Sequence, residues 1–359
     1  MNILLLNWRD PKNPRSGGAE KLNLQILKPL VYRGDAVIWY ALSVKGLPQR
    51  EVYQGITIIR FGNILTHFLM WPIFFYSGKF GKIDFIIDSV HGIGYLSNIF
   101  APLIRRKILV CEVARNIWDE MIPFPGNVIG KFLEPIMFFI YSQNKFWTIS
   151  ESTKKDLQSF AIPAKNITVL PMGFDAPAIL KKEQKTKYPT ALFVGRLAAM
   201  KGIEDVIHAI HQVNKTVKTP WQLTIIGRGD LMYEKHLKQL VSRLNLSKSV
   251  TFEGFVSEEK KFEMMSKSWV LLVASSREGW GMIVPEANLV GTQVIAYNSP
   301  GLRDSAKMYA KENILVEQTS IALANALQKI NKPILLKGTI QRGWSKLHKI
   351  VNQKIKKAI

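Results

Sequence analysis

A single cysteine, Cys111, stands in 359 residues, which excludes a disulfide framework within the chain and any thiolate-rich zinc or iron–sulfur centre. That fits a reducing compartment. Acidic residues are also scarce: 27 Asp and Glu face 49 Lys and Arg, leaving a formal net charge of +22. Long apolar runs are missing too. The longest, 64–76 (ILTHFLMWPIFFY) and 132–141 (FLEPIMFFIY), are interrupted by His67, Pro72, Glu134 and Pro135 and fall short of the ~20 residues that span a bilayer. The opening MNILLLNWRD turns charged too soon for a secretory leader and reads as a first buried strand. An integral membrane protein is therefore not expected. What is present, 47% hydrophobic and 21% charged residues, is a globular composition, and the length favours two domains.

Both halves are basic: residues 1–172 hold 20 cationic and 12 acidic side chains, and residues 173–359 hold 29 and 15. Beyond Glu317 no acid follows, only cations such as Lys329, Lys346 and Lys354. Such a balance attracts polyanions without choosing among phosphorylated ligands, nucleic acid and anionic lipid, and a solvated basic surface is the plain alternative. Nucleic acid is not expected as a partner, because no zinc-finger spacing, RNA-binding aromatic motif or basic region leading into heptads is found. An anionic membrane surface is a better candidate. The two aromatic-rich stretches share a half with Arg105, Arg106, Lys107, Lys131 and Lys145, and apolar side chains beside cations are how peripheral proteins hold anionic lipid. Buried core helices explain the same stretches.

Short apolar runs bounded by turn residues alternate with amphipathic segments, the pattern of βαβ units around parallel sheets. Strands are expected at 3–6, 36–40, 56–59, 85–87, 107–111 and 145–148, and again at 191–194, 222–226, 250–253, 270–274 and 293–297. Helices are expected to begin near Gly18, Leu96 and Ser152, then near Ile203, Leu231, Glu258, Pro285 and Ser320. Between the two series, 170–189 combines three prolines with a Lys-rich run, so we expect domains at 1–172 and 173–340. Two such doubly wound domains would meet across a cleft lined by the carboxyl ends of their strands. In the closing segment, 341–359, Trp344, Leu347, Val351 and Ile355 recur on one helical face, which needs a surface to cover.

Three segments carry candidate chemistry. Gly17 and Gly18 end the first βα loop, where they either let backbone N–H groups approach a phosphate or simply close an ordinary turn. Arg196 and Lys201 follow the strand and glycine of LFVG; on one loop they can clamp a diphosphate, or they are surface cations. His208 and His211 lack a third ligand, so a metal pair is not expected. The third segment, VLLVASSREGWGMIVPEANL, puts Glu278 before a helix and Glu286 within it, so that the carboxylates address two points along one ligand. One reaches sugar hydroxyls and the other a ribose diol, while N–H groups near Gly281, Met282 and Ile283 face the phosphate.

With these motifs the sequence resembles the family 4 glycosyltransferases, retaining enzymes of the GT-B fold, over essentially the whole chain. The matching residues are 17–20 (GGAE), 171–175 (PMGFD), Gly195-Arg196 with Lys201-Gly202, Gly227 and Gly229, and Glu278 to Glu286 as the E-x7-E signature. The resemblance implies an α/β chain of two Rossmann-like domains, with the last helix crossing back to the first. It also implies a nucleotide-diphosphate sugar, UDP- or GDP-linked, on the second domain and a glycan or lipid-linked acceptor entering from the first. Arg196 and Lys201 would neutralise the departing diphosphate, Glu278 would contact the donor sugar, Glu286 would hold the ribose, and backbone groups at Phe255 and Val256 would meet the base. No further cofactor is implied. No Asp-x-Asp motif is seen, and metal-independent chemistry in the cytoplasm, peripheral to a membrane, is expected.

One departure stands out. Many relatives follow the strand matching 108–110 with a histidine near the donor sugar, whereas this chain has Cys111, then Glu112 and, three residues on, Arg115. His91 at another strand end is a candidate substitute, or a local structural residue, and Glu112 and Arg115 are candidates for the acceptor entrance. Two alternatives to a hexosyltransferase stay open: a catalytically impaired GT-B protein serving as a membrane-surface or scaffold component, and a nucleotide-sugar epimerase. A phosphorylase is disfavoured, since no dedicated phosphate or pyridoxal motif appears.

Overall fold

The structure is a computed structural model that describes residues 1–175, 184–336 and 343–356. Lys181 and Lys182 of the expected junction and the cations Lys337, Arg342 and Lys357 lie outside the described residues. The chain divides into two compact units, Met1–Gly173 with Trp344–Ile359, and Phe174–Gly343.

The first unit runs β1 (Asn2–Leu6), α1 (Gly18–Tyr32), β2 (Ala36–Ala41), β3 (Arg50–Tyr53), β4 (Ile56–Arg60), α2 (Ile64–Tyr76), β5 (Phe85–Val90) and α3 (Ser97–Phe100). It continues β6 (Arg105–Val110), α4 (Trp118–Met121), α5 (Gly126–Tyr141), β7 (Phe146–Thr148), α6 (Glu151–Ser159) and β8 (Ile167–Val169). Its sheet has the order β3-β4-β2-β1-β5-β6-β7-β8, parallel except where β3 turns back on β4. Central strands covered on both faces read as unbroken apolar runs, which is why ILLL of β1 and FII of β5 are fully buried.

The second unit runs β9 (Thr190–Val194), α7 (Ile203–Asn214), β10 (Gln222–Ile226), α8 (Leu231–Arg243), β11 (Val250–Gly254) and α9 (Glu258–Lys267). Then follow β12 (Val270–Val273), α10 (Ile283–Leu289), β13 (Gln293–Tyr297), α11 (Leu302–Tyr309), β14 (Ile314–Val316) and α12 (Ser320–Gln328). The order β11-β10-β9-β12-β13-β14 is parallel throughout and reverses direction between β9 and β12. Asp230 and Ser257 accept first-turn N–H groups of α8 and α9, which fixes where those helices start.

The last helix, α13 (Ser345–Lys356), belongs to the first unit. It buries Trp344, Leu347, Val351 and Ile355 and packs on α1, where His348 Nε2 meets Gln25 Oε1 at 3.2 Å. Among the described residues no helix is long and apolar enough to cross a membrane.

Several elements escape the periodicity reading. β3 alternates exposed and half-buried residues at a sheet edge, and β8 and β14 are only three residues long, so none presents an apolar run. The expectation of wholly buried helices in the two aromatic stretches needs correction. α2 buries His67, Trp71 and Phe74, and α5 buries Glu134, Met137, Phe138 and Tyr141, but each leaves a second apolar face open. The helix expected near Leu96 is a single turn, and α10 starts two residues before Pro285, which takes the third position of its first turn.

Candidate functional site

In the second unit, loops at the carboxyl ends of β9, β10, β11 and β12 are stitched together by backbone contacts, the closest of which only glycine permits. Gly195 N–H donates to the Ile226 carbonyl at 3.0 Å, Leu197 N–H to Arg228 at 2.9 Å, and Gly227 N–H to Gly254 at 2.8 Å. At Gly227, with φ +141°, a Cβ would stand 1.8 Å from the Gly195 carbonyl oxygen. The 3-10 turn Ala199–Lys201 then ends at Gly202, whose φ is +64° and whose missing Cβ would lie 2.1 Å from the Ala274 carbonyl. Ser276 N–H donates to the Met200 carbonyl at 3.0 Å, which ties the β9 loop to the β12 loop.

That close approach brings Lys201 to Glu278. Their ion pair spans 77 residues of sequence, and Ser275 Oγ donates to the same carboxylate oxygen at 2.8 Å. The carboxylate is half-buried and held from two sides, and the ammonium keeps two N–H donors for another acceptor. Arg196 sits exposed on the same loop with its guanidinium against the Met200 sulfur at 3.8 Å. Behind Glu278, Gly301 allows the following loop to press against the Glu278 carbonyl, and Ser299 Oγ donates to Ser275 at 2.9 Å.

Glu286, buried on α10, pairs with Lys261 Nζ at 2.8 Å. Lys261 comes from α9, one turn beyond Phe255 and Val256, and also meets Glu258. Burial pulls its pKa down, but the Glu286 and Glu258 carboxylates outweigh that and leave it raised, so the ammonium stays charged. Lys261 is the functional candidate that sequence reasoning missed: it is one of two adjacent lysines, and only the fold shows which faces Glu286. Phe255 is 77% exposed, while Val256, Met282 and Ile283 pack partly against the apolar layer beneath α10, and Gly281 is buried below them with φ +76°. The second unit thus joins Lys201 to Glu278 and Lys261 to Glu286, and carries the other second-unit residues expected from sequence on the same set of loops and on α10.

The first unit treats its candidates differently. Gly17 N–H donates to Glu20 Oε2 at 2.7 Å, and the other oxygen of that buried carboxylate accepts from Arg9 Nε at 3.1 Å. The Gly17 donor is therefore used within the chain, and Gly18 opens α1 beside it. His91 lies next to this set, with Nε2 3.4 Å from Ser89 Oγ and its ring 6.3 Å from Trp8. Burial lowers its pKa to about 4 against the pull of Glu20, so the imidazole is neutral near pH 7.

Cys111 is buried at the end of β6, beside β5 in the sheet. Burial, with Glu112 and Glu20 adding to it, pushes its thiol well up, so it is inert rather than nucleophilic. Arg115 points elsewhere. Its side chain pairs with Asp156 at 3.2 Å, donates to Ser159 at 2.6 Å and lies over Phe160 on and just after α6, so it does not join His91 and Cys111. Among the described residues no group of three or more His, Cys, Asp or Glu is placed to hold a metal ion.

Residues 175–334 match the family described as Glycosyl transferases group 1. An uncharacterized glycosyltransferase of Methanocaldococcus jannaschii is 25% identical over 335 residues, covering 86% of this chain and 83% of that protein. Among solved structures, sucrose-phosphate synthase from Thermosynechococcus elongatus superposes with a TM-score of 0.76 at 20% identity, over 99% of this chain and 98% of that one. Anabaena HepE in complex with UDP and glucose follows at 0.69 and 16%, with 99% and 98% covered. The fold is GT-B, two parallel sheets each flanked by helices, and the protein is a glycosyltransferase.

Proposed function

We propose that this glycosyltransferase is a retaining family 4 enzyme that moves a hexose from a UDP- or GDP-linked sugar to a lipid-linked, polysaccharide or other glycan acceptor. The observation that carries this reading is the convergence of Arg196, Lys201, Glu278 and Glu286 at the strand ends of one sheet, each carboxylate already paired with a lysine. HepE, whose fold this chain shares, holds UDP and glucose.

In this reading the donor lies along the β9, β11 and β12 loops of the second unit. Glu286, held by Lys261, accepts the ribose hydroxyls, and the backbone after Gly254 meets the base, with the exposed Phe255 ring beside it. Glu278 accepts hydrogen bonds from sugar hydroxyls. As the bond between the anomeric carbon and the diphosphate oxygen breaks, positive charge spreads over the sugar ring while negative charge grows on the phosphate. Arg196 and the two remaining N–H donors of Lys201 stabilise that phosphate charge more in the transition state than in the bound donor, which is the condition for catalysis. The two cations serve where other enzymes use a metal. The first unit receives the acceptor, with neutral His91 offering an uncharged contact near the Glu20 and Arg9 pair. A cytoplasmic setting suits the lone free thiol.

A thermal-shift panel of nucleoside diphosphates tests the donor class, since a ligand that binds only the folded state must raise its stability. One diphosphate should raise the midpoint, and its sugar conjugate should be hydrolysed equally well with and without EDTA. No shift with any diphosphate would overturn the donor assignment, and loss of hydrolysis in EDTA would overturn metal independence.

A further inference from the structure

The helices that cover one stretch of the first unit leave an apolar surface open. On α2, Leu65, Leu69, Ile73 and Tyr76 recur at helical spacing and are exposed, opposite the buried Trp71. On α5 the matching stripe is Ile129, Phe132, Ile136 and Phe139, with Phe132 and Phe139 exposed to 70% and 74%. The short α3 joins the two helices: Phe100 meets Trp71 of α2 edge-on at 5.9 Å, and Asn98 donates to the Ile140 carbonyl near the end of α5 at 2.9 Å. Leu103, just beyond α3, is 95% exposed, and Phe124, just before α5, is 81% exposed. Two exposed apolar helix stripes, linked through α3 and accompanied by the exposed Leu103 and Phe124, are more than scattered surface leucines, and such apolar surface marks interaction sites.

The charges around it are predominantly cationic, with Asp84 and Asp119 as exposed acids next to these segments in sequence. Segments 61–83, 89–111 and 121–150 contain a single acidic residue, Glu134. Its carboxylate turns inward to accept the N–H groups of Ala114 and Arg115 at 2.8 and 2.9 Å. The same segments carry Lys79, Lys82, Arg105 and Lys131; Lys79 lies over the Phe74 ring and Lys131 pairs with Asp119. Two copies of such a face would bring like charges together, whereas an anionic lipid surface complements both its apolar and its cationic parts.

We propose that the α2–α3–α5 face docks on an anionic membrane, its aromatic and aliphatic side chains entering between the headgroups while the lysines and arginine meet lipid phosphates. The helices then lie in the interface rather than across the bilayer. The proposal stands on this surface alone and does not depend on the proposed reaction.

Sedimentation with vesicles tests it. Full-length protein should sediment with vesicles of phosphatidylcholine and phosphatidylglycerol in equal parts and stay in the supernatant with phosphatidylcholine alone. The variant L103D/F132D/F139D should lose about tenfold or more in partitioning, because the apolar insertion is removed. The variant K235Q/R243Q/K248Q removes equal charge from exposed positions of the second unit and should sediment like the parent. Three results overturn the proposal: a parent protein that stays in the supernatant with both vesicle types, equal sedimentation of the two variants, or a parent that is dimeric, ignores vesicles and becomes monomeric on L103D/F132D/F139D. Binding of UDP and of GDP, measured in parallel, reports on the second unit. If neither diphosphate binds while vesicles do, the donor assignment falls and the membrane face stands.

Discussion

The two units share an architecture and use their polar groups in opposite ways. In the second, strand-end loops are drawn so close at Gly202, Gly227 and Gly301 that cations and carboxylates distant in sequence meet at a half-open surface. In the first, polar groups at the equivalent strand ends are buried and spent on one another: Glu20 on Gly17 and Arg9, Asp88 on Tyr95, Ser97 and Tyr141. What that unit leaves open is apolar. The contrast teaches that a parallel sheet supplies a position for chemistry but not the chemistry, which depends on whether the loop side chains are left partly available to a ligand.

The sharpest way to break this contrast is to remove one group from each side. Lys201→Ala should lower kcat/KM by about 10²–10³-fold, the usual cost of a preorganised charge at a developing anion. Cys111→Ala should cost less than about tenfold, since a buried, inert thiol contributes packing only. Steady-state kinetics with a matched donor decide it, and equal losses would erase the distinction.

Next in size is the backbone. Gly227→Ala should destabilise the protein by about 3 kcal/mol or more, because the new Cβ meets the Gly195 carbonyl and φ is in the region that disfavours a side chain. Denaturant unfolding measures it, and a change within about 0.5 kcal/mol would show that the strand-end loops are looser than described.

A pH dependence should mark the first unit. His67 is fully buried between the Phe61 carbonyl and the Tyr95 hydroxyl, and burial lowers its pKa to about 4. Unfolding lets it take up a proton below about 6.5, so the stability its neutral form contributes is present above that pH and lost as pH falls toward 4. His67→Gln removes the titration, so the stability gap between parent and variant should narrow from pH 7 to pH 4. A constant gap across that range would contradict the burial of a neutral imidazole.

Smallest is the effect expected at Lys261. Replacing it with methionine keeps the stem and removes the charge beside Glu286, and should weaken nucleotide binding by about three- to tenfold, with partial rescue by arginine. Calorimetric titration with UDP or GDP measures it, and unchanged affinity would mean that Glu286 needs no partner.

Legibility in the sequence follows the same divide. Glycine punctuation and apolar runs suffice to place β9 through β13 and the Glu278 and Glu286 pair, because each of those features is local. The tail helix was legible for the same reason: four apolar residues at helical spacing require a surface, and α1 provides it. The Lys261 and Glu286 pair was not, since it arises only when α9 and α10 pack side by side. Likewise, whether FLEPIMFFIY is buried or exposed depends on which neighbours cover α5, and periodicity has no access to that. The inward turn of Glu134 is a tertiary outcome of the same kind.

The central claim, that the second unit holds a nucleotide-diphosphate donor through Lys201 and Glu286, is tested most directly by calorimetric titration of the diphosphate that stabilises the parent into Lys201→Ala and Glu286→Ala. Each variant should bind at least about tenfold more weakly while keeping the parent's fold, in line with the loss of one charged hydrogen-bonding partner. Affinities unchanged in both would contradict the claim.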